Sequence, residues 1–159
     1  MNYETCPEIE SVVAKYLNPR QNIIVPNVWW GLELSHECDL FVLTKTGYAY
    51  EVEIKISKSD LNADLKKKYQ HRSNKIRKLY FAIPEKLQSN IDLIPERAGI
   101  LVVNKKGTIL KLREAKINEE ANPLTDKERL HLAHLGAQRI WKLKSKLAIQ
   151  NNLAQKVTL

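Results

Sequence analysis

Apolar residues recur at helical spacing near the start of the chain: Ile9, Val12, Val13, Tyr16 and Leu17 share one face. Thr5 stands at the cap position and Glu8 three residues on, so a capping box predicts the helix start. Asn18-Pro19-Arg20 ends it, because the residue before a proline is driven out of the helical region. The pattern then changes period. Residues 22–30 are β-branched and aromatic and predict a strand, with Pro26 marking an edge or irregular position. After Gly31, residues 36–44 are again strand-like through Leu40, Phe41, Val42 and Leu43. Lys45-Thr46-Gly47 signals a turn. Residues 48–57 alternate, with Glu51, Glu53 and Lys55 on one face and Val52, Ile54 and Ile56 on the other. Neighbouring strand residues point to opposite faces, so one of Trp29 and Trp30 is expected in the core and the other is free to stack on bases.

Ser59-Asp60 starts a second helix through Leu61, Leu65 and Lys68 to about residue 71. Residues 76–83 form a strand stopped by Pro84. Residues 98–104 form another, apolar almost throughout and therefore expected to be central and buried. Lys105-Lys106-Gly107 turns it into a strand at 108–112. Residues 118–123 are a polar connector, and Thr125 with Glu128 caps a last helix. That helix has an apolar side (Leu132, Leu135, Ile140, Trp141, Leu143, Leu147) and a basic one (Arg139, Lys142, Lys144, Lys146). The order helix, three strands, helix, strands, helix predicts an α/β sandwich around a small mixed sheet. The expected division is a core at 1–117 and a basic helical extension at 118–159, packed on the same domain.

Composition narrows the class. The 159 residues suit one domain, and 43% hydrophobic with 28% charged residues argues against disorder. No apolar run is long enough for a bilayer, so no membrane partner is expected. The start lacks a basic region followed by an apolar stretch, which predicts no secretory signal and a reducing cytoplasmic location. Two cysteines, Cys6 and Cys38, are too few for a disulfide scaffold or a Cys-rich zinc site.

The net charge of +8 is uneven, since residues 105–159 carry 12 basic and 5 acidic side chains. A second concentration runs from Lys55 to Lys78, where nine basic residues face Asp60 and Asp64. A basic stripe beside acids suits a polyanion held next to a metal or proton-handling site, with solvated helix faces as the plain alternative. Lys58, Lys66, Lys67, Lys68, Arg72 and Lys75, then Arg139, Lys142 and Lys146, are the candidate phosphate contacts, with Gln70 and His71 beside the first group. His36 is expected to be a hydrogen-bonded residue at a strand end, and His131 and His134 to have surface roles. Tyr69 is expected to pack.

The hairpin carries the chemistry. A three-residue loop at 45–47, with glycine in its left-handed last position, pairs Thr44 with Tyr48. Phe41 then faces Glu51, Asp39 faces Glu53, and Glu37 faces Lys55. Asp39 and Glu53 would have β-carbons about 5 Å apart, an unfavourable arrangement for like charges. Asp39 also sits in an apolar run, where an uncompensated carboxylate is costly. Mg²⁺ (with Mn²⁺ as substitute) would relieve the pair, since it prefers one or two carboxylates plus water and substrate phosphate. Lys55 projects from the same face, where it can pair with Glu37 or Glu51 or orient an attacking water. This is the chemistry of metal-assisted phosphodiester hydrolysis.

Asp39 followed by Glu53-Ile54-Lys55 on the strand after a hairpin resembles the PD-(D/E)xK nuclease superfamily. The strings from His36 to Leu40, Glu51 to Lys55, Ser57 to Leu61 and Leu79 to Pro84 are similar to its MmcB-like DNA-repair branch, which includes phage-borne relatives. The resemblance covers roughly residues 4–104. It implies a restriction-endonuclease-like core of α-β-β-β-α-β order. It implies that Asp39, Glu53 and the Ile54 carbonyl bind the metal, with Lys55 aiding the water. A Glu on the first helix often joins such sites; Glu8 and Glu10 are the candidates, and Glu10 is preferred because Glu8 already caps. Glu51 is either a further ligand or base, or a salt-bridge partner of Lys55 or the next helix. The expected function is an Mg²⁺-dependent DNA nuclease in repair, recombination or phage DNA processing, alone, as a homodimer or with a repair partner. The alternatives are a DNA-binding accessory without turnover and an RNA-processing nuclease.

Overall fold

A computed structural model describes residues 3–66 and 73–157 of the chain. The first helix, α1 (Cys6–Tyr16), begins where the capping pattern puts it, with the Thr5 amide and hydroxyl both donating to Glu8 Oε2. Six strands follow: β1 (Ile23–Val28), β2 (Cys38–Leu43), β3 (Ala49–Ile54), β4 (Ile76–Pro84), β5 (Gly99–Val103) and β6 (Ile109–Arg113). They form one sheet in sequence order, antiparallel at β1–β2, β2–β3 and β5–β6, and parallel at β3–β4 and β4–β5. The helix α2 (Lys58–Leu65) makes the first parallel crossover, and a 3-10 segment (Glu85–Leu93) lies in the second. A long last helix, α3 (Asp126–Val157), closes the fold.

Each face of the sheet buries its own apolar set. Ile9 and Val13 of α1 pack on Leu40, Val42, Val52, Ile54 and Ala82. On the other face, Leu124, Leu132 and Leu135 cover Val25, Phe41 and Leu43, while Leu61 of α2 joins Leu79, Phe81 and Ile83. All five residues of β5 are buried, as the near-continuous apolar run predicts. The expected α-β-β-β-α-β order with a mixed sheet and an added C-terminal helix is therefore the observed one. Among the described residues no helix is long and apolar enough to cross a membrane.

Two expectations change, and one falls outside the described residues. The first strand stops at Val28, and Asn27 (φ 53°) and Gly31 (φ 81°) bend the chain on either side of the tryptophans. Strand alternation no longer applies there, so Trp29 and Trp30 are both exposed and neither enters the core. The described crossover helix runs from Lys58 to Leu65; the rest of the expected helix falls on Lys67, Lys68, Tyr69, Gln70, His71 and Arg72, which lie outside the described residues. The 3-10 segment was not expected, because it shows neither a helical nor an alternating apolar period.

At the β6 edge, Glu114 accepts from Lys78 (2.7 Å), Lys111 (2.5 Å) and the Tyr80 hydroxyl. The Lys111, Lys78 and Tyr80 donors hold its carboxyl down at about 2. A depressed folded-state value stabilises above the ordinary carboxylate range and is lost as pH falls. Glu114→Gln is thus expected to reduce the acid sensitivity of the melting temperature between pH 4.5 and about 2. The effect is expected to stay under about 1 kcal/mol, because the group is half-exposed. Thermal melts across that range check it.

Candidate functional site

The hairpin has the expected register. Gly47 adopts φ 85°, its amide donates to Thr44 O, and Phe41 pairs with Glu51 and Leu40 with Val52. The described β2–β3 ladder ends there. Asp39 does not continue it as a simple cross-strand neighbour of Glu53. Its Oδ2 accepts from the Ile54 amide at 2.7 Å, so a side chain takes over where backbone pairing stops. Facing sides also slip at this point: Leu40 lies with α1, while Cys38 lies with Phe41 on the α3 side. Glu37 is exposed rather than set against Lys55.

Glu53 is buried and accepts from Lys55 Nζ at 2.6 Å. The same ammonium lies 3.4 Å from Asp64 Oδ1. Burial works against the charge on Lys55, but Glu53, Asp64 and Asp39 outweigh it and hold the ammonium above the ordinary lysine range. Lys55 is therefore a fixed cation at neutral pH. The expected pairing of Lys55 with Glu37 or Glu51 is replaced by Glu53 and Asp64. Asp64 was missed as a site residue, although its signal was present: Leu61 and Asp64 are three apart, so a helix burying one turns the other inward. Ser57 fixes the start of that helix by accepting from the Asp60 amide at 3.2 Å.

Glu10, on α1, faces this group. Burial and then the Asp39 charge push its carboxyl up. Glu8, the other candidate, is taken by the cap. Glu51 is fully buried and paired with His36. Strand pairing sets Glu51 next to Leu79 of β4.

The basic candidates divide. Lys75 is held by Glu128 (2.6 Å) and Glu33 (3.7 Å), which ties the start of β4 to α3. Lys58 and Lys66 are exposed at the two ends of α2. Arg139 donates to Asn27 O at 2.8 Å and to Pro26 O, fixing α3 over the bend in β1. Lys142 and Lys146 are exposed one and two turns further along. With Glu10, Asn27, Trp29 and Arg139 they line a cleft of about 670 Å³. The cleft thus has a carboxylate that senses Asp39 at one side, a basic helix at the other and an exposed indole between.

A mixed sheet flanked by helices, with two acids and a lysine gathered where β2 and β3 part, defines a restriction-endonuclease-like α/β protein. A family model described as MmcB-like DNA repair protein matches residues 4–147, and the chain belongs to that family. The match runs across the connector into α3, beyond the stretch that carries the motif resemblance. Among solved structures, the chain is similar to the SPO1766 protein of unknown function from Silicibacter pomeroyi. The TM-score is 0.62 at 19% identity, over 88% of this chain and 88% of that one, a likeness of fold. No functionally curated protein matches the chain.

Proposed function

We propose that this DNA-repair-family protein is an Mg²⁺-dependent deoxyribonuclease. The observation that supports it best is the convergence of Asp39, Glu53 and Lys55 at the end of the β2–β3 ladder, beside a basic cleft. The donor set fits the ion: all the acids offer hard oxygens, and Glu10 and Asp39 repel one another as they stand. Asp39, Glu53 and the Ile54 backbone would hold it, with Glu10 as a further carboxylate. Bound Mg²⁺ supplies positive charge to the attacked phosphodiester and makes water a better nucleophile. Lys55, kept protonated, orients that water and stabilises charge developing on the phosphoryl oxygens. Lys58, Lys66, Lys142 and Lys146 contact phosphates, which sets position without reading sequence. Glu51 serves by keeping β3 in place through His36.

A second reading is favoured by one observation: Asp39 and Glu53 each already have a partner within the protein. A DNA-binding accessory that kept the fold without turnover would look the same. Incubating the full chain with matched DNA and RNA substrates, in Mg²⁺ and in Mn²⁺, separates the readings. Cleavage of DNA supports the proposal. Salt-sensitive binding without cleavage supports the accessory, and preferential cleavage of RNA reassigns the substrate.

The cleft makes its own prediction. Replacing Lys142 and Lys146 together by Ala is expected to weaken DNA binding about tenfold and to lower the salt slope by about two, since each ammonium neutralises about one phosphate. The fold should be unchanged, since both side chains are exposed. Fluorescence anisotropy over a salt series measures both quantities.

A further inference from the structure

Glu51 places a carboxylate at a position with no solvent exposure. Two other donor side chains meet it there. One ligand-type atom each from His36, Cys38 and Glu51 lie within 4.8 Å of one another. His36 Nε2 is the nitrogen that meets Glu51 Oε1, while Ser35 Oγ stands 3.3 Å from Nδ1. An imidazole with one nitrogen on an outer hydroxyl and the other turned toward an acid and a sulfur is oriented as metal-ligating histidines are. Cys38 is fully buried, and burial together with the Glu51 carboxylate keeps its thiol strongly in the neutral form. The sulfur reaches this cluster only because the chain slips at Asp39, which brings Cys38 to the same side of the sheet as Phe41, the cross-strand partner of Glu51.

We propose that His36, Cys38 and Glu51 form a binding site for a thiophilic divalent metal, Zn²⁺, separate from the Asp39 and Glu53 oxygens. Imidazole nitrogen, thiolate sulfur and carboxylate oxygen are the three ligand types zinc takes, and the sulfur disfavours Mg²⁺. Tetrahedral zinc would hold such atoms about 3.5 Å apart, within reach of small side-chain rotations from the observed cluster. On uptake the Cys38 S–H bond breaks and an S–Zn bond forms. That proton, and any proton shared between His36 and Glu51, leaves to solvent. The ion's two positive charges then balance one thiolate and one carboxylate, so the buried group is neutral overall. The His36 side chain is 13% exposed and gives the ion a way in. The site braces β2 just ahead of Asp39 against β3 just ahead of Glu53. It does not rest on the nuclease reading.

The experiment uses the full chain, stripped with a chelator and titrated with Co²⁺ and then Zn²⁺. The expected result is one ion per chain, a thiolate-to-cobalt absorption band that Zn²⁺ displaces, and a rise in melting temperature with Zn²⁺. Cys38→Ser and His36→Gln are each expected to lose the band and to weaken affinity at least about 100-fold. His36 lies outside β2, so His36→Gln keeps the test readable if the buried Cys38→Ser misfolds. Asp39→Asn should keep both band and stabilisation, which separates this site from the proposed nuclease centre. No cobalt band, a band that survives Cys38→Ser, or no Zn²⁺-dependent stabilisation overturns the proposal. His36 and Glu51 are then a plain hydrogen-bonded pair.

Discussion

Asp39→Asn is expected to remove Mg²⁺-dependent DNA cleavage, lowering turnover roughly 10³-fold or more while the fold survives. The magnitude follows from the several kcal/mol that a correctly held ion contributes to the transition state, at about 1.4 kcal/mol per decade. Asparagine is the informative replacement. Its amide oxygen can still accept from the Ile54 amide, so the contact that ends the β2–β3 ladder is kept. Only a charged hydrogen bond is exchanged for a neutral one, at about 1 kcal/mol of stability. Glu53→Gln should remove the proposed cleavage too, but less cleanly. It removes a charge from beside a buried ammonium and leaves Asp64 as the nearest remaining acid, 3.4 Å away. Lys55→Met would remove the buried ammonium that Glu53 and Asp64 share, and should lower stability along with activity. Gel-based cleavage assays paired with thermal melts read both effects. An Asp39→Asn protein that cuts at the wild-type rate would rule out Asp39 as a ligand of the metal.

The hairpin register was legible because its geometry is local. A three-residue loop with glycine in the left-handed position admits one pairing, and Phe41 opposite Glu51 follows from it. Capping boxes at Thr5 and Thr125 are equally local, and both form. Asp64 was legible in principle, because an inward-facing Leu61 implies an inward residue one turn later. The pairing of Glu51 with His36 was not, nor was the move of Cys38 to the α3 side. Both depend on a slip at Asp39 whose partner strand bends at Asn27. That bend is held by Arg139, 112 residues further along the chain. The same long-range contact explains why Trp29 and Trp30 escape the alternation that a continuous strand would have imposed. Lys75 shows the same limit. Its place in a basic run suggested phosphate, yet Glu128, on a helix the run does not predict, takes its charge.

These contacts tie the packing of α3 to its proposed role in binding DNA, and Leu132→Ala tests that link. Leu132 is fully buried, in the cluster that joins the helix to Val25, Phe41 and Leu43. Its removal is expected to lower unfolding free energy by about 2–5 kcal/mol, as core leucine truncations do. A second consequence is local. Beyond Leu135 the helix keeps to the sheet through the bonds from Arg139 to Pro26 and Asn27, and Ile140, Trp141, Leu143 and Leu147 are exposed. Loosening the anchor at Leu132 therefore frees the turns that carry Lys142 and Lys146 from the cleft they line with Glu10 and Trp29. DNA affinity should fall even at temperatures where nearly all of the variant is folded. A loss of affinity that merely tracked the unfolded fraction would mean that the basic helix does not need its seat on β1 to engage DNA. Chemical denaturation gives the first quantity, and anisotropy at low temperature gives the second.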